Sequence, residues 1–221
     1  AIRIQASLAE DGSVNGLHAK TAVGSIQRSL GVSAVPSGVE PSAVEGLANL
    51  PYKVGALEVD CILKNTHVPV MFWRSVGSSQ NAFAMESFID ELAHAAGQDP
   101  YQYRRKLLEG KADFLAVLDT LAQKGDWGKP MPKGSGRGIA IHESFGTIVG
   151  EIGEASVSAK GELKVERVVA AVDCGHVVNP LTVAMQIESG VVYGLSAALF
   201  VAITIKDCAV VQGNFNGYQV A

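Results

Sequence analysis

"VPVMFWRSVGSSQNAFAMESFIDELA" (Val68–Ala93) contains the change of period on which the fold turns. Val68 to Trp73 is almost wholly apolar, the pattern of a strand covered on both faces. Helical spacing starts at Ser78 or Ser79, where a serine can cap the first turn, and Met85, Phe88, Ile89, Leu92 and Ala96 form the i, i+3, i+4, i+7 stripe of an amphipathic helix. Arg74 stands between the two. A guanidinium cannot shed its charge, so in apolar surroundings it needs an anionic or hydrogen-bonding partner. Two readings stay open at this point. Arg74 either ends the strand and bonds a carboxylate or the carbonyls of a helix end, or it clamps a ligand. A strand that runs through a small-residue loop into a helix N-terminus offers backbone N–H groups to an anion or a polar heterocycle, with the arginine as a bidentate clamp.

Outward from this stretch the chain reads as α+β. Residues Ile2 to Leu8 and Val14 to Ala22 alternate around Asp11-Gly12 as a hairpin, and "GVSAVPSGVEPSAVEGLANLPY" (Gly31–Tyr52) is a long Gly/Pro/Ser-rich surface connection. Strand signals return at "GALEVDCILK" (Gly55–Lys64), with Val59, Cys61 and Leu63 on one face. After Gly97, Asp99 caps a helix with Pro100 in its first turn and basic residues at its end, and Ala112 to Lys124 is a further helix. From Arg137 the period returns to two over three or four antiparallel strands, with Lys160-Gly161 as a hairpin turn. Asn179 and Pro180 then open a last helix, and "GVVYGLSAALFVAITI" (Gly190–Ile205) reads as buried helix running into a strand. The expected architecture is mixed and antiparallel sheets with packed helices. Its regions are residues 1–125 (hairpin, connection, loop strand, helical block) and 126–221 (antiparallel strands, capped helix, terminal strands).

The bulk numbers exclude several classes. A chain of 221 residues with 48% hydrophobic composition builds a sizeable core. Eighteen basic against 22 acidic residues, net −4 without a basic run, argues against nucleic acid as partner. The three cysteines, Cys61, Cys174 and Cys208, are far apart and suggest neither a disulfide framework nor a zinc cluster. The most apolar run is too short to span a bilayer. The chain opens in mid-sheet without a signal peptide and stops without a closing element, as a piece of a longer protein would. Compartment is left open.

Further constellations are weaker. Gln186, Gly190, Tyr193 and Ala197 share one helix face, an amide one turn before a glycine that admits close approach, or simple helix packing. Cys174 and His176 share a strand face but lie too close in sequence for a thiol–imidazole pair with an orienting group. Glu151 and Glu154 point to opposite sides of a strand and are expected exposed, and Glu86, Asp90 and Glu91 form a solvated stripe. His18, His67, His94 and His142 are assigned nothing.

Two segments together resemble the molybdenum-binding subunit of the xanthine dehydrogenase and aldehyde oxidoreductase family, in particular the branch that includes the isoquinoline 1-oxidoreductase β-subunit. "PVMFWRSVGSSQNAFAMESFIDELAHAAGQDPYQYRRKLL" is similar to the family's FRGFG-type loop and following helix. "GRGIAIHESFGTIVGEIGEASVSAKGELKVERVVAAVDCGHVVNPLTVAMQIESGVVYGLSAALF" is similar to its DxG…NP…Q(I/V)EGG…GL pattern. The matches run in order from about Leu50 to Phe200.

The resemblance implies a molybdenum hydroxylase that acts on N-heteroaromatics or aldehydes with oxygen from water. Its cofactor is molybdopterin with molybdenum, in the cytosine dinucleotide form, and electrons leave through 2Fe–2S clusters on a small iron–sulfur partner subunit. Trp73 and Arg74 match cofactor-contacting positions, Gln186 matches the glutamine at the pterin end, and Val76 matches a substrate-pocket position where relatives carry an aromatic. The smaller Val76 implies a wider pocket. The family's MGQG-type segment, GGGFGRR-type loop and late GxGE segment with the general base have no match. Glu151 and Glu154 precede the DCG…NP segment and do not take that role, so no catalytic residue and no protein metal ligand is assigned. The chain is therefore expected to be an inactive fragment that needs the remainder of its own subunit. The alternative is a non-catalytic binding or assembly module that retains the scaffold.

Overall fold

The N-terminal alternation folds as the hairpin its turn dictates. β1 (Ile2–Leu8) pairs antiparallel with β2 (Val14–Val23), and between them Asp11 accepts hydrogen bonds from the Ser13 amide and hydroxyl while Gly12 takes φ +79. The computed structural model describes residues 1–32 and 38–221, so residues 33–37 of the long connection lie outside the described residues. Its described part carries two short helices, α1 (Ile26–Ser29) and α2 (Pro41–Val44), and then β3 (Ala56–Leu63) returns parallel to β2. A parallel neighbour needs a long crossover, which is why a connection of this length is here at all. The sheet β1-β2-β3 buries Leu17 and Ala19 on one face and carries Arg3, Gln5, His18 and Asp60 on the other.

α3 (Gly77–Ala95) buries Met85, Ile89 and Leu92, with Phe88 and Ala96 packed beside them, as the stripe predicts. α4 (Pro100–Leu107) starts at Asp99, whose side chain accepts from the Tyr101 and Gln102 amides, and α5 (Ala112–Lys124) follows. β4 (Ser135–Ser144), β5 (Thr147–Val157) and β6 (Leu163–Asp173) form an antiparallel sheet in that order. α5 lies on this sheet at close range. A Cβ on Gly150 of β5 would sit 3.0 Å from Leu121 and 3.3 Å from Val117, so the glycine sets the distance between layers. With its mixed and antiparallel sheets and packed helices, the protein is α+β. The contacts divide it into two compact units, Ala1–Cys174 and Gly175–Ala221, and residue 125 lies inside the first. The second unit holds α6 (Pro180–Leu199), capped by Asn179 with Pro180 at its start. It also holds a short hairpin of β7 (Ile205–Lys206) and β8 (Ala209–Val210), turned by Asp207 and Cys208 at φ +50 and +62.

Four expectations are corrected. Val68 to Trp73 is not a strand: Pro69 has no N–H to give a ladder, the Val70 amide goes to Ser29 Oγ at 3.0 Å, and Met71 and Phe72 are 58% and 59% exposed. α3 begins at Gly77 without a serine cap, because Ser75 and Ser79 hydroxyls both turn to the Arg74 carbonyl. α6 is largely exposed, with Leu181 and Met185 among its open side chains, so its apolar composition is not a record of burial in its own unit. The fourth concerns the acidic stripe, of which only Glu91 is exposed.

Glu86 is buried and joins four segments. Its Oε1 accepts from Tyr52 OH at 2.8 Å, and its Oε2 accepts from Arg104 Nε at 3.0 Å and from the Ile141 amide at 3.0 Å. Arg104, with no exposed side-chain surface, also donates to Asp90 and to the Glu86 carbonyl. Burial pushes the Glu86 carboxyl up, and Arg104, the Ile141 amide and Tyr52 pull it back. Burial works against the charge of Arg104, but Glu86, Tyr52 and Asp90 hold it above its ordinary value. Replacing Arg104 by Met leaves a buried carboxylate uncompensated and should cost about 3–5 kcal/mol in urea unfolding, whereas the Glu86→Leu, Arg104→Met double variant should recover part of that loss.

Candidate functional site

The Trp73–Gly77 loop is held in place from below. Gly77 is required by space, since a Cβ there would lie 2.0 Å from the Ser42 carbonyl oxygen. Its amide donates to Glu45 Oε2 at 3.1 Å, and one turn later the buried Asn81 amide donates to the carbonyls of Ala43 and Glu45 at 3.1 and 2.7 Å. Helix α3 is thereby locked to the residues around α2, and the loop is driven through a tight bend. Ser75 and Val76 take φ +63 and +49, a region that a β-branched side chain enters only under strain. The bend is closed by the Val76 amide donating to the Trp73 carbonyl at 2.9 Å. It leaves Trp73 46% exposed, Arg74 exposed and Val76 half-buried.

The sequence-predicted site residues therefore fall in two places. Trp73, Arg74 and Val76 share one rigid loop of the first unit, while Gln186 is exposed on α6 of the second, with Gly190 and Tyr193 half-buried along its helix. Beside the loop lies a cavity of about 210 Å³ whose walls include Glu40, Ser42, Met71, Trp73, Val76 and Gln80. A wider cleft of about 530 Å³ runs between α3 and the β4–β5 face, past Ser75, Phe83, Ser87, His142, Val149 and Glu151.

Glu151 and Glu154 do not form the exposed pair expected. Glu154 is engaged by Arg137, its register partner on β4, with Nη2 at 2.7 Å, because the antiparallel pairing sets the two side by side. Glu151 is half-buried on the cleft wall, and burial raises its carboxyl above the ordinary range. His142 reaches the same cleft. Its Nε2 is buried without a hydrogen-bond partner among the described residues, and burial, partly opposed by Glu143, lowers its pKa from 6.5. The sequence offered no signal for His142 beyond its alternation with Ile139 and Ile141. His18 is not isolated either: its Nε2 lies 3.1 Å from Asp60 Oδ2, near Glu58, but Lys20 at 3.3 Å already balances that carboxylate. Cys174 follows the end of β6 and His176 the start of the next unit, so the shared strand face does not form.

Trp73 and Arg74, exposed residues on a backbone fixed by Gly77, are of types that suit a flat polar heterocycle bearing phosphate. Residues 1–108 and 77–221 each match a molybdopterin cofactor-binding domain family. The β-subunit of isoquinoline 1-oxidoreductase from Brevundimonas diminuta is 30% identical over 174 residues, 76% of this chain and 22% of the relative. A nicotinate dehydrogenase subunit from Pseudomonas putida is 33% identical over 171 residues, 69% of this chain and 14% of the relative. A membrane-bound aldehyde dehydrogenase [pyrroloquinoline-quinone] from Gluconacetobacter polyoxogenes is 30% identical over 191 residues, 76% of this chain and 25% of the relative. The chain thus spans a quarter or less of the length of these relatives. Among the described residues no helix is long and apolar enough to cross a membrane.

Val76→Gly should relieve the bend and raise stability by about 1 kcal/mol, the strain released less the glycine's entropy, as read by thermal unfolding. His142 gives a pH dependence of defined sign. The unfolded chain binds its proton near 6.5 and the folded one only at lower pH, so this stabilisation is complete above 6.5 and lost as pH falls through the folded value. The urea midpoint should fall on acidification, and less steeply in His142→Asn.

Proposed function

We propose, on the premise that the chain belongs to the molybdopterin cofactor-binding family of xanthine oxidase type, that it supplies one wall of the cofactor and substrate site of a molybdenum hydroxylase. Trp73 and Arg74 hold the cofactor at the loop, Gln186 holds its pterin end, and Val76 belongs to the substrate wall. The observation that carries this reading is the loop itself, strained at Ser75 and Val76 and locked through Gly77, Glu45 and Asn81 in the segment whose sequence resembles the family's cofactor loop. When bound, the molybdopterin, here taken in its cytosine dinucleotide form, supplies the redox centre for hydroxylation with oxygen from water. A small partner subunit would hold 2Fe–2S clusters and provide the exit for electrons.

Arginine on a fixed loop neutralises and orients an anionic group bidentately, and the exposed indole offers a flat apolar face. Substrates are N-heteroaromatics or aldehydes, in keeping with the names of the relatives. The chain is part of a larger subunit and is inactive alone, with the general base contributed from outside it. The short share of each relative that it covers supports this. Exposed Met71 and Phe72 beside the loop suit a surface met by further polypeptide.

The test is metal and pterin analysis of the full-length protein. Molybdenum and pterin should be present in stoichiometric amounts. Arg74→Ala should weaken their retention by about tenfold or more, and Gln186→Ala, which removes a neutral amide, by less. A folded full-length protein without either component overturns the proposal.

A further inference from the structure

One face of the β4-β5-β6 sheet has the composition of a buried surface but lies open among the described residues. Toward the core beneath α5 the sheet turns Ile139, Ile141, Ile148 and Ile152. On the opposite face the register sets Ala140 and Ala170 on either side of Glu151, with Val149 and Val172 in the row before and Gly153 and Val168 in the row after. A sheet face built to meet water is polar at such positions. The first sheet shows the difference, because its open face carries Arg3, Gln5, His18 and Asp60. Here Ala170 and Gly153 are exposed, a Cβ on Gly153 would meet nothing within 4 Å, and Phe83 of α3 stands 73% exposed on the cleft that runs along this face. Glu151 lies at the centre. It lines the cleft half-buried, and its carboxylate has no hydrogen-bond or ion-pair partner among the described residues. The other carboxylates on the cleft wall, Glu86 and Asp90, are both engaged by Arg104. A carboxylate set among apolar neighbours is costly unless a cation meets it.

We infer that this face docks an apolar segment of the same subunit, from outside residues 1–221, and that a lysine or arginine on that segment pairs with Glu151. The inference rests on the reading of the chain as part of a larger subunit. Two observations choose the occupant. The chain covers a quarter or less of each relative, which leaves ample polypeptide of the same subunit to supply it. The face itself asks for apolar cover with one positive charge at its centre, and α6, the long apolar helix of the second unit, has no lysine or arginine to offer. Ala140, Gly153 and Ala170 let the backbone of the docked segment come close, as Gly150 does for α5 on the other face. Phe83 then closes the side of the cleft next to α3.

Photo-crosslinking in the full-length protein identifies the occupant. Ala170→Met, expressed with photo-methionine, places a reactive group beside Glu151, and peptide mass spectrometry reads what it joins. The expected product runs at the monomer's mass on a denaturing gel and links this position to a peptide outside residues 1–221 that contains a lysine or arginine. A link to another chain or to a second copy, or no link, overturns the inference. Should Ala170→Met fail to fold, carbene footprinting of the unaltered protein decides: residues 168–172 should be protected, and heavy labelling there overturns the inference. Glu151→Leu tests the charge. It should lower the thermal midpoint of the full-length protein, because it leaves the docked cation without its partner. On a face open to water the same change removes a partly desolvated charge, so an unchanged or raised midpoint overturns the pairing. Intact mass keeps this inference apart from the reading it rests on. A natural product of 23.1 kDa removes the larger subunit and the docking together, whereas a longer product with an open face removes the docking alone.

Discussion

The buried pairing of Glu86 with Arg104 anchors the first unit. One carboxylate accepts from a tyrosine before β3, an arginine on α4 and an edge amide of β4, and it sits on the inner face of α3. Each partner arrives from a different element, so the ion pair registers helices and sheet together in a way apolar contacts alone leave adjustable. Burial makes the arrangement all-or-none. An arginine that cannot deprotonate and a carboxylate pushed toward neutrality are tolerable together, and either one alone is not. The Ile141 amide belongs to the same logic, since β4 is an edge strand whose inward N–H groups would otherwise be unpaired.

From that fixed helix the Trp73–Gly77 loop inherits its rigidity. α3 is held at its middle by Glu86 and at its first turn by Gly77 and Asn81 against the α2 segment, so the residues just ahead of it have little freedom. The positive φ values of Ser75 and Val76 are local costs sustained by this anchoring, and strain of this kind persists where the surroundings over-determine the backbone. The result is a guanidinium and an indole presented at the surface from an unyielding base. The proposed cofactor role asks for such a base, since binding energy is then not spent on ordering the loop.

Glu40 and His142 extend the same pattern to the cavities on either side. Both are polar groups taken out of water with an atom unsatisfied among the described residues, one beside the loop and the other in the cleft along α3. Thr21 Oγ1 and Asn81 Oδ1 are buried and unsatisfied among the described residues as well, whereas Glu86, Arg104 and Arg137 are bonded through several atoms each.

Elements whose cause is local were legible in the amino-acid order alone. Period-two alternation around Asp11-Gly12 makes the hairpin, the Met85–Ile89–Leu92 stripe makes α3, and Asp99-Pro100 and Asn179-Pro180 start their helices, because these signals act within a few residues. The motif order around Trp73, Arg74, Val76 and Gln186 carried the family. Which charges are buried was settled by the folded chain. Arg104 lies next to Tyr103 and three residues before Leu107, on the face that packs inward, so its burial was partly legible, but its partner is 18 residues away on another helix. The exposure of Val68–Trp73, the start of α3 at Gly77 and the orphan oxygen of Glu40 depend likewise on distant partners, Ser29, Ser42 and the α1 amides. Local propensity records what a residue prefers, whereas desolvation and hydrogen-bond satisfaction depend on what the folded chain brings to it.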